Sequence, residues 1–209
     1  MASFYSHSKV VKLLINEGAD VNARDEEQCT PLHKSAYVGD KESVNYLLQA
    51  NSDANAADAD KATPLHKAAF NGHADICSLL LDKGAELDAR DGQGGTPLHN
   101  AIYNGHISSI NLLITRGANV NSQDLRGATP LQYAAYHGQR RVTAFLMEKG
   151  ADIQKTDKNG RSPLHLAAFQ GHTIILAMLL DKGADINNRS IQGMSGKFYF
   201  FLIIFTICF

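Results

Sequence analysis

The sequence has few cysteines and, before residue 198, no long apolar segment. Its three cysteines, Cys29, Cys77 and Cys208, do not form an even set, and a chain of 209 residues needs no disulfides to hold a core together. The N-terminus lacks an uninterrupted apolar run followed by a small-residue cleavage site. These absences exclude a disulfide scaffold and a secretion signal, so we expect a protein of the cytoplasm or nucleus that is not secreted.

A strong excess of either charge is also missing, since the formal net charge is −1. This balance argues against a nucleic-acid-binding protein that relies on phosphate contacts. The charges are unevenly distributed: residues 1–104 hold 15 acidic and 9 basic side chains, whereas residues 105–209 hold 6 and 11. The asymmetry could orient a charged partner along the chain, or it could be a chance imbalance of solvated surfaces.

What the sequence does contain is an internal repeat of 33 residues. A ten-residue string recurs with small changes, as in TPLHKAAFNG and TPLHNAIYNG. The string begins at Thr30, Thr63, Thr96, Thr129 and Ser162. A second string, such as LLLDKGAELDAR from Leu79, follows at a fixed distance, and no insertion or deletion breaks the register from Val10 to Arg189.

Each repeat carries the local signals of two helices. Thr63 can cap a helix, and Pro64 suits the first helical position because its missing N–H would have no partner there. Gly72 can end that helix, and a second helix with an apolar face runs through residues 76–81 before Gly84 stops it. Two short helices cannot bury this face alone, so the sequence predicts a solenoid in which similar repeats stack.

The 33-residue period, the T-P-L-H-x-A string and the G-A-D-V-N string resemble the ankyrin repeat. The resemblance covers residues 1–189 and divides them into six repeats, of which the first is partial. The repeats span residues 1–24, 25–57, 58–90, 91–123, 124–156 and 157–189, and residues 190–209 hold an interrupted seventh. The resemblance implies an all-α-dominated solenoid of stacked helix–turn–helix repeats, with β-hairpin-like loops and a concave surface.

Several positions depart from the family pattern. Asn51 replaces the glycine expected after a second helix, and asparagine is the next best residue for a left-handed conformation. Gln28 and Lys61 replace a loop glycine that the later repeats keep, and Gln132 replaces the histidine of the first string. The first repeat begins inside its first helix without an evident polar cap, so we expect residues 1–24 to be less stable than the rest.

Nine histidines raise the question of a catalytic site. Eight of them recur at two repeat positions. These are His33, His66, His99 and His165 in the T-P-L-H string, and His7, His73, His106 and His172 after a glycine position. The resemblance implies that the first set ties neighbouring loops together by hydrogen bonds. Residues spaced by 33 do not converge, whereas a catalytic centre needs its groups within hydrogen-bond reach, so we predict no catalytic residue and no enzyme.

We predict no metal site and no cofactor either. Cys29 and His33 have helical i, i+4 spacing, but two ligands without a second pair make half a zinc site at most. Cys77 lies on an apolar helix face, where a thiol behaves as a small hydrophobe. The glycines of DGQGGTPLH are not followed by the Gly-Lys-Ser/Thr of a phosphate-binding loop.

The position just after the paired alanines is aromatic in every repeat. We call this set the aromatic column; it consists of Phe4, Tyr37, Phe70, Tyr103, Tyr136 and Phe169. In the family this position faces the concave surface and varies between proteins with different partners. Tyr and Phe are favoured in interface cores, but rings that only pack on their neighbours would give the same pattern, and both interpretations remain open.

The loop tips form a second candidate surface, because family members contact partners there as well. The tip residues are Glu26, Glu27, Asp60, Lys61, Gln93, Leu125, Arg126, Lys158 and Arg161. They change from acidic to basic along the sequence. Simple solvation of loops is the alternative interpretation.

The chain ends in an uncharged apolar segment, FYFFLIIFTICF, at residues 198–209. As a helix it would span about 18 Å, too short for a membrane core of about 30 Å. In register, residues 190–195 begin a seventh repeat, and the pattern stops at Gly196, where proline should stand. Our interpretation is that the repeats originally continued and that residues 197–209 are translated from a retained intron or a misassigned exon. Gly196 and Lys197 can be encoded by GGT-AAA, which contains the sequence GTAAA of an intron start. A tail that contacts membranes is the alternative.

These observations predict a non-enzymatic scaffold or adaptor that binds another protein through the concave helix surface and the loop tips. We expect a monomer without a membrane span. The alternative is that the repeats are the targeting or substrate-recruiting arm of a larger kinase, exchange factor or ubiquitin-ligase receptor.

Overall fold

The computed structural model describes residues 7–191, and residues 1–6 and 192–209 lie outside the described part. The expectations for Phe4 and for the apolar C-terminal segment therefore fall outside it. Within residues 7–191 the chain forms eleven α-helices and no β-strand. The predicted all-α class is confirmed. The chain divides into two compact units, Met1–Ala118 and Asn119–Phe209.

Each of the five repeats from residue 25 to residue 189 contributes a first and a second helix, as predicted, and residues 7–24 contain one second helix, α1. The first unit holds α1 (Ser8–Asn16), α2 (Pro31–Val38), α3 (Lys41–Gln49), α4 (Pro64–Phe70), α5 (Ala74–Asp82), α6 (Pro97–Tyr103) and α7 (Ile107–Thr115). The second unit holds α8 (Pro130–Tyr136), α9 (Arg140–Glu148), α10 (Pro163–Phe169) and α11 (Thr173–Asp181). The even-numbered helices from α2 to α10 are first helices, and the odd-numbered ones are second helices.

A Thr-Pro pair, or Ser-Pro at α10, starts each described first helix in the way the sequence predicts. At α4, the backbone N–H of Thr63 donates to Nδ1 of His66 at 3.1 Å, and Thr63 Oγ1 lies 2.9 Å from the same nitrogen. Pro64 follows at the start of the helix, where a donor is not needed. The same capping box begins α2, α6, α8 and α10. These helices are short because the local signals that start and stop them lie close together.

A glycine after the first helix is required for two reasons. Gly39 has a φ of +91°, which favours glycine, and a Cβ there would lie 2.5 Å from Cε1 of His73 in the next repeat. Gly72 bears the same relation to His106. His73, His106 and His172 of the second set therefore pack over the glycine of the preceding repeat. Asn51 adopts a φ of 61°, which confirms its predicted role as a substitute for glycine.

Leucines at equivalent positions form the core of each unit. In the first unit, the first helices pack in the order α2, α4, α6, and the second helices in the order α1, α3, α5, α7. In the second unit, α8 packs on α10 and α9 packs on α11. The paired alanines Ala68 and Ala69 are fully buried, which lets neighbouring first helices approach closely. The exception is α1, where Leu14 is 47% exposed although its counterpart Leu47 is 1% exposed.

The loops between repeats are closed turns. Asp58 N donates to Ala62 O at 3.0 Å, and the equivalent bond closes each of the loops from Asp25, Asp91, Asp124 and Asp157. The hairpin-like character expected from the resemblance thus takes the form of one backbone hydrogen bond per loop rather than strands. The helical spacing proposed for Cys29 and His33 is wrong, because α2 begins only after Thr30 and Cys29 belongs to the loop.

Candidate interaction surface

In the first unit the aromatic column lies at the C-terminal ends of the first helices. Tyr37 and Tyr103 are exposed, the latter by 51%, and Phe70 is half-buried. The rings of Phe70 and Tyr103 stack with their centroids 6.2 Å apart and an interplanar angle of 19°. The residues that precede Tyr37 and Tyr103, Ala36 and Ile102, are fully buried. The exposed rings of Tyr37 and Tyr103 therefore extend from a part of each helix that is firmly packed, which we call the packed base of the rings.

In the second unit the aromatic column continues at the same helical position. Tyr136 and Phe169 are both exposed, Phe169 by 59%. The ring of Tyr136 meets that of His137 edge-on, with 5.2 Å between centroids. His137, which has no counterpart among the two histidine sets, thus belongs to this aromatic surface.

Side chains from the next repeat fix the backbone below the rings. Asn71 Nδ2 donates to the carbonyl oxygen of Tyr37 at 2.6 Å, and Asn104 Nδ2 donates to that of Phe70 at 2.7 Å. His73 Nε2 lies 3.2 Å from the Tyr37 carbonyl as well. Carbonyls at the end of a helix have no partner inside it, so these contacts satisfy them and join successive repeats at the level of the rings.

The predicted loop-tip residues of the first unit are all at the surface. Glu26, Glu27, Asp60, Lys61 and Gln93 are exposed. Backbone hydrogen bonds connect the successive tips: Ala59 N donates to Glu27 O at 3.0 Å, and Gly92 N donates to Asp60 O at 2.6 Å. The tips of these three loops therefore form one continuous ledge.

The basic tips of the second unit differ in how firmly they are held. Lys158 is exposed, and its backbone N–H donates to Arg126 O at 2.9 Å. Arg161 pairs with Asp157 at 2.7 Å and is half-buried. Arg126 pairs with Asp124 at 3.2 Å and also donates to the hydroxyl of Tyr133. The two arginines thus stabilise their own loops, while their exposed edges remain accessible.

An aspartate column that the sequence reasoning missed shapes every loop. Its members are Asp25, Asp58, Asp91, Asp124 and Asp157. In Asp58, Oδ1 accepts the backbone N–H groups of Asp60 and Ala62, both at 2.9 Å. Each of the other four accepts from the residues two and four positions on in the same way. The signal was present, because aspartate recurs with the 33-residue period.

First-helix side chains reach the second oxygen of this column. Lys67 Nζ lies 2.6 Å from Asp58 Oδ2, and in another repeat the Tyr133 hydroxyl donates to Asp124 Oδ2 at 2.9 Å. Burial raises the pKa of Tyr133 to about 12, and its bond to the Asp124 carboxylate acts in the same direction. Burial opposes ionisation of Asp58, but the hydrogen bonds from Lys67 and Ala62 hold the pKa of Asp58 below its usual value. The loops are therefore anchored to the helices that carry the aromatic column.

The first set of histidines ties neighbouring loops together, as the resemblance implied. His33 Nε2 lies 3.0 Å from Ala62 O, and His66 Nε2 lies 3.2 Å from Gly95 O. Gln132, which replaces histidine, donates from Nε2 to Arg161 O and accepts from Thr129 N at 2.7 Å. Burial lowers the pKa of His33 and of His66, which keeps both rings neutral. The hydrogen bonds to the neighbouring loop explain why these polar side chains are buried.

One cluster of potential metal ligands exists among residues 7–191. It consists of Asp25, Glu27 and Cys29, with ligand atoms within 4.8 Å of one another. Lys34 Nζ lies 3.0 Å from a carboxylate oxygen of each acid. Burial disfavours the charge of Lys34, but hydrogen bonds to Glu27 and Asp25 raise the pKa of Lys34 above its usual value. An ion-pair network with a protein cation at its centre explains this cluster.

These features define a helical repeat protein of the solenoid class, with paired helices, joined loops and exposed side chains at recurring positions. None of the helices in residues 7–191 is long and apolar enough to cross a membrane.

Three copies of a family model described as ankyrin repeats match residues 1–58, 32–124 and 98–190. The chain belongs to the ankyrin repeat family, whose members generally mediate protein–protein interaction. A search of curated proteins finds no match. Among solved structures, the chain is similar to the human ASB11 ankyrin repeat domain, with a TM-score of 0.85 and 27% sequence identity. That similarity covers 93% of this chain and 87% of the other.

Proposed function

We propose that this chain is a non-enzymatic scaffold that binds a partner protein through the aromatic column and the loop tips. The observation that carries the proposal is the exposure of Tyr37 and Tyr103 on a fully packed base. A ring that is half in water gains free energy when a partner covers it, and a rigid base reduces the entropy lost on binding. Arrays of such rings are typical anchors of protein interfaces.

The loop tips add polar contacts beside the rings. The ledge of Glu26, Glu27, Asp60, Lys61 and Gln93 offers three carboxylates and one ammonium group, whereas Arg126 and Lys158 offer cations in the second unit. Charges at the rim of an interface chiefly set specificity and association rate. The proposal therefore assigns affinity to the rings and selectivity to the tips.

We further propose that the protein acts as a monomer in a reducing compartment, the cytoplasm or nucleus. Cys29 and Cys77 support the compartment, because both are buried as free thiols. The monomer is an expectation that a molecular-mass measurement in solution would test directly.

Quantitative affinity capture with the full chain tests the function. Proteins that bind the wild type should be lost with the Tyr37→Ala, Tyr103→Ala variant, provided that its helical content and melting temperature are unchanged. Tyr46→Ala is the matched control, because Tyr46 lies on the second helix α3 and is not a member of the aromatic column. Equal capture by all three chains would refute the role of the rings and favour the interpretation that they only pack.

A further inference from the structure

The helix α1 leaves open a side that the later second helices close. Val10 and Leu14 are 44% and 47% exposed, whereas their counterparts in α5, Ile76 and Leu80, are fully buried. The same two positions are also buried in α3, α7, α9 and α11. Leu13, beside them, is 58% exposed. We call Val10, Leu13 and Leu14 the α1 face, an apolar surface that is open only in this repeat.

A first helix is the element that covers the other second helices. The helices α3, α5, α7, α9 and α11 each pack on the first helix of their own repeat, which is α2, α4, α6, α8 and α10 in turn. Between residues 7 and 191, α1 has no first helix of its own repeat, and it packs on α3. The later repeats therefore show what kind of element fits the α1 face.

The first helices also show which side chains such an element presents. In α4, Leu65, Ala68 and Ala69 are fully buried, and their spacing of three and four residues places them on one side of the helix. The other described first helices bury a leucine and two more residues at these positions, all alanine except Ser35 and Ile102. Small residues let two helices approach closely, so this pattern suits a surface made of large apolar side chains.

The helix α1 is held less firmly than its counterparts. Val11 is its one buried residue, whereas α5 buries Ile76, Cys77 and Leu80. A helix that covered the α1 face would remove apolar surface from water and would order α1 at the same time.

The charge and the size of the side chains disfavour two other occupants. Residues 1–104 hold 15 acidic and 9 basic side chains, whereas anionic membranes attract clusters of basic ones. Two copies of α1 facing each other would oppose large side chains to large ones, because Val10, Leu13 and Leu14 would meet their own counterparts. A first helix instead brings two small residues beside one leucine.

We propose that the α1 face binds a short helix of another protein, which presents a leucine and two small residues at positions i, i+3 and i+4. This helix takes the place that a first helix has in the later repeats. The α1 face contains no residue of the aromatic column or the loop tips, so the inference goes beyond the proposed function. Binding of this kind places an amphipathic helix in an apolar groove.

A helix-constrained peptide with the sequence of residues 61–72, KATPLHKAAFNG, is the probe, because α4 forms within this segment. Fluorescence polarisation with the full chain should show saturable binding. Leu14→Asp and Leu13→Asp should each weaken it at least about tenfold, because a carboxylate in the contact loses its water. Leu125→Asp is the matched control and should bind like the wild type, since Leu125 is a leucine of similar exposure, 60%, at a loop tip.

Changes in the peptide test the same contact without altering the chain. A peptide with Leu65→Asp, and one with Ala68→Gln and Ala69→Gln, should each bind at least about tenfold more weakly. Hydrogen exchange measured by mass spectrometry should slow in α1, Ser8–Asn16, when the unaltered peptide is added. The Leu65→Asp peptide should leave the exchange of α1 unchanged.

Three results would overturn the inference. The first is the absence of saturable binding at about 1 mM peptide. The second is binding that the Leu13 and Leu14 variants leave unchanged. The third is self-association of the full chain, or binding to vesicles of anionic lipid, that either variant abolishes, because the face would then belong to a second copy or to a membrane.

The same assay separates this inference from the proposed function. The Tyr37→Ala, Tyr103→Ala variant should bind the peptide as the wild type does, because neither ring belongs to the α1 face. Loss of peptide binding in this variant would place the contact on the aromatic column and overturn the inference. Failure of the peptide with every chain leaves the affinity-capture test of the proposed function unaffected.

Discussion

The rings of Phe70 and Tyr103 stack across neighbouring repeats, with 6.2 Å between their centroids. Each ring shields part of the other from water, yet Tyr103 remains 51% exposed. The stack is therefore both a packing contact and an open surface. If the aromatic column binds a partner, the exposed part of each ring matters most. If the rings only pack, the contact between neighbouring rings matters most.

Replacing Tyr103 by alanine distinguishes a binding role of the ring from a purely structural one. Tyr103→Ala should cost only about 1 kcal/mol of unfolding free energy, the usual size of one aromatic pair, whereas Leu80→Ala in the core should cost about 3 kcal/mol. The same Tyr103 variant should weaken partner binding, as should Tyr136→Ala in the second unit. Urea unfolding and a binding assay measure the two effects. A Tyr103 variant as unstable as the Leu80 variant, with binding intact, would show that the ring is structural.

Replacing the buried histidines by glutamine should flatten the dependence of stability on pH. The Thr63 N–H donates to Nδ1 of His66, so a proton on Nδ1 would place two donors face to face. Burial lowers the pKa of His66 and of His33, so below about pH 6.5 the unfolded state binds more protons than the folded state. The free energy of unfolding should therefore fall as the pH drops from about 7 to about 5.

Gln132 shows that glutamine makes both contacts without titrating. The His33→Gln, His66→Gln variant should retain stability near neutral pH and lose less of it on acidification. Urea unfolding at a series of pH values measures the slope. The explanation fails if the variant and the wild type lose stability in parallel.

Asp58 should be among the most sensitive loop residues. Asp58→Ala leaves the N–H groups of Asp60 and Ala62, and the ammonium of Lys67, without their partner, which should cost about 2–3 kcal/mol of unfolding free energy. The pKa of Asp58 is lower in the folded chain than its usual value. The stabilisation by the Asp58 carboxylate is therefore fully present at a pH above the usual carboxyl pKa, and it is lost as the pH falls through the folded pKa. Asp60→Ala, at an exposed tip, is the control and should change stability by less than about 0.5 kcal/mol.

Cys77 should resist alkylation in the folded chain. It is fully buried in α5, and burial raises its pKa to about 12, so the thiolate that reacts is scarce. Mass spectrometry after iodoacetamide treatment should find Cys77 unmodified in buffer and modified in urea. Rapid labelling of Cys77 under native conditions would mean that the core of α5 opens far more readily than its packing implies.

Much of the fold could be predicted from the sequence, because its signals are local. Thr63 and Pro64 start α4 through contacts that span three residues, and Gly84 follows the end of α5. The predicted second helix through residues 76–81 lies inside α5, Ala74–Asp82. The family could be named for the same reason, since a strict period repeats these local signals.

The candidate site was less predictable. The positions of Tyr37 and Tyr103 were predicted, but their exposure depends on how much of each ring the neighbouring repeat covers. The role of Asp58 was missed because it depends on a turn that directs two backbone N–H groups at one carboxylate oxygen. That arrangement has no signature beyond a recurring aspartate.

The sequence by itself determined the period, the order of the helices and the residues that begin and end them, because caps and helix propensities act over a few neighbouring positions. Only the tertiary structure decided which of these residues hold the repeats together and which face water. It placed His66 in the joint between its own loop and the next, and it showed that Asp58 closes its own loop and holds that loop to α4 through Lys67. It placed Gln28 and Lys61 at the surface with positive φ. The physical reason is that burial and hydrogen bonding depend on the adjacent repeat, which lies 33 residues away in sequence but in direct contact in space.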